Sequence, residues 1–127
     1  MSALDPLNPV IRELFSTLGH GGDLGTVAGE AAGVTVGEAG REELGTRVRF
    51  AILTADGRIS AVRFRAYGCP YTLATCEWLA RTLEGQRPAT SSIGSPLDWA
   101  RRLEVPAARL GRLLVIEDAL LAALTRA

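Results

Sequence analysis

The feature that most constrains this fold is a pair of strand-like segments, residues 46–54 and 58–66, separated by a short turn. In "TRVRFAILT" the apolar side chains of Val48, Phe50 and Ile52 alternate with arginines, and "RISAVRFRA" repeats the alternation. A period of two places apolar residues on one face of a strand. Because the intervening "ADG" is typical of a tight turn, the pattern predicts an antiparallel hairpin with one buried face.

Helical patterns lie on both sides of the hairpin. Residues 8–18 begin with Asn8 and Pro9, which favour a helix start, and they place four apolar residues on one face. These four residues are Ile11, Leu14, Phe15 and Leu18. The Gly-rich residues 26–45 contain one further strand-like stretch, "GVTVGE". After the hairpin the pattern predicts only helices, over residues 70–84, 97–103 and 107–125.

The order of these elements predicts an α+β fold. We expect an N-terminal helix, a small antiparallel sheet of about three strands, and C-terminal helices packed on one face of the sheet. A chain of 127 residues is long enough to bury a core, so residues 1–127 are expected to form a single domain.

Charge and composition exclude several classes of function. The 14 basic residues, all of them arginine, balance 14 acidic residues, which argues against a nucleic-acid binder. The longest apolar runs are far shorter than the roughly 18 residues that span a bilayer, so no membrane partner is predicted. Two cysteines make no disulfide framework and no signal-peptide pattern opens the chain. We therefore expect a protein of the reducing cytoplasm.

Both cysteines lie in "RAYGCPYTLATC", residues 65–76. Cys69 follows the second hairpin strand and precedes Pro70, which makes it the predicted N-cap of the next helix. A sulfur at that position faces unpaired backbone N–H groups and the positive end of the helix dipole, and both favour the thiolate. The pattern indicates a reactive or metal-binding thiol. The alternative is a small residue that fills a tight junction.

Cys76 and His20 are the other residues that carry this kind of chemistry. Cys76 lies two helical turns beyond Cys69, about 10.5 Å along the axis, too far for a disulfide or a shared metal. Since cysteine is commonly buried, Cys76 is predicted to be a core residue. His20 is the only histidine, in a Gly-rich stretch where it is expected to be solvated and away from Cys69. A catalytic dyad with a base is therefore missing, and an enzyme is not predicted.

Two longer stretches carry a resemblance to a known family. The run "DGRISAVRFRAYGC" followed by a helix, and the segment "LEVPAARLGRLLVIEDALLAAL", resemble the IscU/NifU-type scaffolds of iron–sulfur cluster assembly. The second segment contains the Glu-Asp-Ala triplet at residues 117–119. The resemblance implies the helix–sheet–helices order predicted above, a role in cluster assembly, and a cysteine desulfurase or other assembly proteins as partners.

The ligand set of that family is incomplete in this chain. The family binds an iron–sulfur cluster or a zinc ion with three cysteines and an auxiliary Asp or His, and only Cys69 carries over. The third cysteine position aligns with Arg112, and the first falls near Glu42, Glu43 and Leu44. An arginine beside Cys69 would stabilise a thiolate and favour persulfide or redox chemistry over metal binding. The alternative is that Arg112 points to solvent.

A metal site remains possible by another set of ligands. Zinc accepts Cys, His and carboxylate groups, so Cys69 with Glu42 and Glu43 is a candidate site, assisted by His20 or Asp23. The resemblance thus implies an iron–sulfur cluster or zinc as the cofactor, with Cys69 as the remaining ligand or as a sulfur acceptor.

Two other functions stay open. "CPYT" is similar to the C-P-Y-C motif of glutaredoxins with Thr72 in place of the second cysteine, which implies a monothiol redox protein. That fold requires strands after the motif, where this sequence predicts helices. The third possibility is a scaffold fold that keeps only protein–protein binding.

Overall fold

The computed structural model describes residues 8–22, 24, 33–89 and 93–127. The elements, in chain order, are α1 (Pro9–Ser16), β1 (Val34–Arg41), β2 (Thr46–Ala55), β3 (Arg58–Tyr67), α2 (Pro70–Leu83), α3 (Pro96–Leu103) and α4 (Leu110–Arg126). Single 3₁₀ turns, Glu42–Leu44 and Ala107–Arg109, precede β2 and α4. The predicted α+β architecture is confirmed.

The three strands form one antiparallel sheet in the order β1-β2-β3. Phe50 of β2 lies between Gly37 of β1 and Phe64 of β3 in the strand register. The β2–β3 turn has positive φ angles at Asp56 (53°) and Gly57 (75°), as expected for a two-residue hairpin turn that matches the twist of the strands. The predicted hairpin is confirmed, and both of its strands extend one residue further than the pattern indicated.

The helices cover one face of this sheet and enclose the core between them. α4 packs across β1 and β2, and α2 packs on β3 and on α1. Gly37 permits the contact with α4, because a Cβ atom there would overlap the backbone of Ala119 and Ala123. Trp99 is fully buried, and its Nε1–H donates to the carbonyl oxygen of Ile93 at 2.6 Å. The sheet face with alternating Val48, Phe50 and Ile52 is the buried one, as predicted.

The outer edge of β3 is covered by two short segments of the same chain. The backbone of Phe64 exchanges hydrogen bonds of 2.8 and 2.9 Å with residues 20–22. At the other end of the strand, the backbone of Ile59 exchanges hydrogen bonds of 2.7 and 2.8 Å with residues 85–86. The loop that contains His20 is therefore fixed against the sheet.

Two details of the helices differ from the expectation. Ile11 and Leu14 are buried as predicted, but Phe15 is 37% exposed, and α1 ends at Ser16, two residues before the predicted end. The last helix begins at Leu110 rather than at residue 107, since Pro106 is followed by the 3₁₀ turn. All regular elements in the described stretches 70–89 and 93–127 are helical, which is not the arrangement of a glutaredoxin. None of the helices described is both long and apolar enough to cross a membrane.

Candidate functional site

Cys69 occupies the junction between β3 and α2, as the sequence predicted. It is the N-cap residue of α2, with extended backbone angles (φ −81°, ψ 170°) and Pro70 in the first helical position. Its Sγ lies 3.6 Å from Oγ1 of Thr72. Gly68 allows this contact, since a Cβ atom there would lie only 3.0 Å from the side chain of Thr72. The sulfur is half-buried at the positive end of a 14-residue helix.

The surroundings of Cys69 favour its thiolate. Partial burial alone would raise the pKa of the thiol, but the Thr72 hydroxyl, the backbone amides of Thr72 and Tyr71 and the charge of Arg112 together hold that pKa below its ordinary value. Within the described chain, neither amide completes a capping hydrogen bond to the sulfur, so the amides act as nearby dipoles. Of the two thiols, Cys69 is thus the one whose surroundings favour ionisation.

Arg112 lies in the first turn of α4, close enough to act on Cys69 electrostatically. The start of α4 is held against the start of α2, because the guanidinium of Arg109 lies over the ring of Tyr71 at 6.0 Å. The Nε atom of Arg112 is buried and has no hydrogen-bond partner among the described residues. Arg112 therefore does not simply point to solvent, which was one of the two expectations for it.

A cavity of about 180 Å³ lies beside Arg112, between the first turn of α4 and the connection from β1 to β2. Its described lining residues are Gly40, Arg41, Leu44, Thr46, Gly111, Arg112 and Val115. Leu44 and Arg112 share this cavity, whereas Cys69 is not among its described lining residues and is linked to Arg112 only by the electrostatic effect of the guanidinium.

Glu42 and Glu43 belong to a different cavity in the same region. Both carboxylates line it with Glu38, Arg41 and Arg47, and Glu42 Oε2 lies 3.6 Å from Nη1 of Arg47. The described residues contain no group of three or more His, Cys, Asp or Glu side chains placed to hold a metal ion. Asp23 lies outside the described residues. A metal site formed by Cys69 with these carboxylates stays a prediction.

His20 is held in an ion-pair cluster that the sequence did not predict. Its Nδ1 lies 2.7 Å from Glu77 Oε2 and its Nε2 lies 2.9 Å from Glu84 Oε1, so each ring nitrogen is within hydrogen-bond distance of one carboxylate. Arg81 Nε donates to Glu77 at 2.7 Å, and Arg63 Nη1 donates to Glu84 at 3.2 Å. The expectation that His20 is solvated was wrong, because its side chain is only 20% exposed.

The cluster is remote from Cys69, as expected. Glu77 follows Cys69 by eight residues, about 12 Å along the axis of α2. A carboxylate at position 77 between the buried Cys76 and Ala80 was the available signal, since an acidic residue inside a buried stripe needs a partner. Cys76 is fully buried, and its burial followed by the adjacent charge of Glu77 strongly raises its thiol pKa. Its prediction as a core residue agrees with that burial.

One known protein family matches the sequence over the same elements. The sequence profile of the family described as NifU-like N terminal domain matches residues 11–126. This match covers nearly all of the chain, from α1 through the sheet and Cys69 to the end of α4.

A curated relative and two crystal structures are also similar. The bifunctional protein NifU/MnmA of Rubrobacter xylanophilus is 44% identical over 61 residues, which are 46% of this chain and 12% of the relative. The chain therefore spans only a small part of that relative's length.

The two crystal structures share the fold at low identity. One is from Fervidobacterium islandicum AW-1 and is assigned as an iron–sulfur cluster assembly scaffold protein for the SUF system; it has a TM-score of 0.68 at 16% identity, over 92% of this chain and 95% of the other. The second is a nitrogen-fixing NifU-like protein (N-terminal) from Brucella abortus, with a TM-score of 0.67 at 17% identity, over 94% and 92% of the two chains.

Proposed function

The chain belongs to the family of NifU-like N-terminal domains, and on that premise we propose that it accepts sulfur on Cys69 during iron–sulfur cluster assembly. The observation that carries this proposal is the position of the thiol. Cys69 caps a helix N-terminus beside Thr72 and Arg112, and these groups lower its pKa toward a reactive thiolate.

The donor would be a cysteine persulfide on a cysteine desulfurase. The thiolate of Cys69 attacks the outer sulfur of that persulfide, so that an S–S bond forms on Cys69 while the S–S bond of the donor breaks. The donor cysteine leaves as a thiolate, and the proton of the transferred S–H stays on the new persulfide. No external oxidant or reductant is consumed. The positive charge of Arg112 then favours release of that proton to water, which leaves the persulfide on Cys69 as an anion.

The residues around Cys69 suit this transfer better than they suit holding a cluster. Iron–sulfur clusters are bound by several thiolates. This chain offers one partly accessible thiol, Cys69, because Cys76 is buried in the core. A cationic guanidinium at the position of the family's third ligand opposes a metal cation. We place this transfer in the reducing cytoplasm, where free thiols persist.

The proposal is tested by anaerobic incubation of the protein with a cysteine desulfurase and L-cysteine, followed by intact-mass measurement. We expect the chain to gain the mass of one sulfur atom, which a reductant removes. The Cys69→Ser chain should gain none, although it retains Cys76 as an internal control.

Analysis of iron, zinc and sulfide in the same preparations separates the alternatives. Stoichiometric metal that disappears in Cys69→Ser, Glu42→Gln and Glu43→Gln chains would favour the metal site and contradict sulfur acceptance as the main role. A chain that gains neither sulfur nor metal but binds assembly proteins would be a binding module. Reduction of glutathione mixed disulfides through Cys69 would instead indicate the thiol redox function.

A further inference from the structure

The hydroxyl of Thr72 is used differently from those of three other helical threonines. Thr75, Thr82 and Thr125 each donate to the backbone carbonyl four residues earlier, at 2.7 to 2.8 Å. That is the usual hydrogen bond of a threonine side chain inside a helix. The Oγ1 of Thr72 instead lies 3.6 Å from Sγ of Cys69, which is its hydrogen-bond partner among the described residues. The hydroxyl therefore serves the sulfur rather than the helix backbone.

The position of Thr72 in α2 explains this contact. Thr72 is the third helical residue, and the carbonyl four residues before it belongs to Gly68, ahead of the helix. Its side chain turns back to the N-cap residue, as the third residue of a capping box does. The start of α3 shows the same pairing with oxygen atoms, since Oγ of the N-cap Ser95 donates to Oδ2 of Asp98 at 3.0 Å. In α2 a sulfur takes the place of the N-cap oxygen.

Burial and ionisation together give the contact a direction. Thr72 is fully buried, and a buried hydroxyl without a partner is costly. In the neutral thiol either group can donate. A thiolate has no proton, so only the Thr72 hydroxyl can donate to it, and a hydrogen bond to a charged acceptor is stronger than one to a neutral acceptor. The sulfur of Cys69 is thus held on the side of a buried residue, and a reaction partner has to approach it from the opposite side.

Gly68 makes room for the Thr72 side chain. A Cβ atom at residue 68 would lie 3.0 Å from both Cβ and Oγ1 of Thr72, which is closer than an ordinary van der Waals contact. Gly68 is not one of the glycines with a positive φ angle. The missing Cβ therefore provides space at this position rather than backbone freedom, and a larger residue would displace the hydroxyl from the sulfur.

We propose that Thr72 is a positioning residue for Cys69 and that Gly68 makes this role possible. The hydroxyl of Thr72 donates to the thiolate, fixes the sulfur in one orientation, and leaves its opposite side free to attack a persulfide. Thr72 itself forms no covalent bond in the transfer. The inference rests on sulfur acceptance as the function of Cys69, and it adds the residue that orients the nucleophile.

The rate at which the chain gains sulfur from a cysteine desulfurase and L-cysteine, followed by intact mass, tests the proposal. Thr72→Val keeps the shape and removes the hydroxyl, so we expect a roughly tenfold slower gain, the loss expected for one hydrogen bond to a charged group. Thr72→Ser restores the hydroxyl and should recover most of the rate, and Gly68→Ala should give an intermediate rate. The matched control is Thr75→Val, which removes an equally buried hydroxyl from the same helix and should leave the rate unchanged.

Alkylation of Cys69 by iodoacetamide over a range of pH values needs no desulfurase and separates positioning from a general loss of structure. Without the hydrogen bond the thiolate is less stable, so Thr72→Val should react more slowly than wild type near neutral pH. A thiolate that accepts no such bond is also the better nucleophile, so the same variant should react faster once the thiol is fully ionised. The two rate profiles should therefore cross, which a disturbed fold does not explain.

Three results would overturn the proposal: identical alkylation profiles for wild type and Thr72→Val, equal slowing of sulfur gain by Thr72→Val and Thr75→Val, or no recovery in Thr72→Ser. Thermal unfolding verifies that each variant is folded under the assay conditions. Crossing profiles in a chain that gains no sulfur would support Thr72 as the positioning residue of the thiolate and would contradict sulfur acceptance instead.

Discussion

The His20 cluster makes a sharp prediction about stability, because Glu77 is a carboxylate with a side chain only 1% exposed. Its Oε1 accepts the backbone N–H of His20 at 2.9 Å, and its Oε2 accepts from His20 Nδ1 and from Arg81 Nε, both at 2.7 Å. In a Glu77→Gln chain the amide NH₂ replaces one of these oxygens. A donor then faces a donor at either end, and the buried group cannot satisfy its partners in any orientation.

The size of the effect follows from the burial of each partner. Removing one member of a buried ion pair costs about 3–5 kcal/mol, and water reaches part of His20 and Arg81, so we expect about 3 kcal/mol at pH 7. In a domain of this size that corresponds to a fall in melting temperature of roughly 10 °C. A matched control is Glu38→Gln, which breaks the pair with Arg47 where the Glu38 side chain is 44% exposed; it should cost about 0–1 kcal/mol.

The pH dependence gives the same prediction a second readout. Burial alone would raise the pKa of Glu77, but the hydrogen bonds and charges of His20 and Arg81 outweigh it and hold the pKa below the ordinary value of 4.5. A carboxyl group whose pKa is lower in the folded state stabilises the fold at pH values above its unfolded-state pKa. This stabilisation is lost as the pH falls through the folded-state pKa. The stability gap between wild type and Glu77→Gln should therefore narrow below about pH 4.5.

Urea denaturation followed by circular dichroism measures both effects, at pH 7 and then at a series of lower pH values. If Glu77→Gln lowers the free energy of unfolding at pH 7 by no more than Glu38→Gln does, the cluster stabilises the fold no more than a surface ion pair and the reasoning is wrong. A gap that stays constant down to acid pH would show that the lost interaction does not depend on the charge of Glu77.

Three further predictions rest on other contacts. Gly37→Ala should lower the free energy of unfolding by about 1–3 kcal/mol or more, because its Cβ overlaps the backbone of α4, whereas Gly111→Ala should be neutral or stabilising in the same urea titration. Asn8→Ala removes the cap on α1 and two hydrogen bonds to the end of α3, and thermal unfolding should show a loss of about 1–2 kcal/mol; no change would mean that α1 is held by packing alone. Alkylation followed by mass spectrometry should label Cys69 with a pH midpoint below that of a free thiol and should leave Cys76 unlabelled until denaturant is added; equal rates would contradict the assigned environments.

Local patterns carried most of the fold. The alternation of Val48, Phe50 and Ile52 with arginines placed one sheet face in the core, and Gly and Pro marked the ends of the hairpin and of α2. The pattern failed where tertiary contacts decide. Phe15 lies four residues after Ile11 and yet stays partly exposed, because which residues of the α1 face are buried depends on what the helix packs against.

In the candidate site, too, local sequence predicted some features and tertiary packing decided the others. The N-cap position of Cys69 follows from its neighbours Gly68 and Pro70, so its place at a helix start was predictable from twelve residues of sequence. The burial of the Arg112 Nε depends on how α4 packs against the rest of the chain, which no local pattern contains. The partners of His20 lie 57 and 64 residues further along the chain, and a separation of that length is set by the packing of α2 on β3.

The two short segments along β3 also limit association between copies of this protein. β3 ends the sheet, and a bare edge strand would offer a row of N–H and C=O groups to a second molecule. Residues 20–22 and 85–86 already occupy the backbone groups of Phe64 and Ile59. Extension of the sheet from this side first requires the His20 loop to be peeled away. A chain in which the His20 loop is loosened should therefore self-associate at high protein concentration before any helix unfolds.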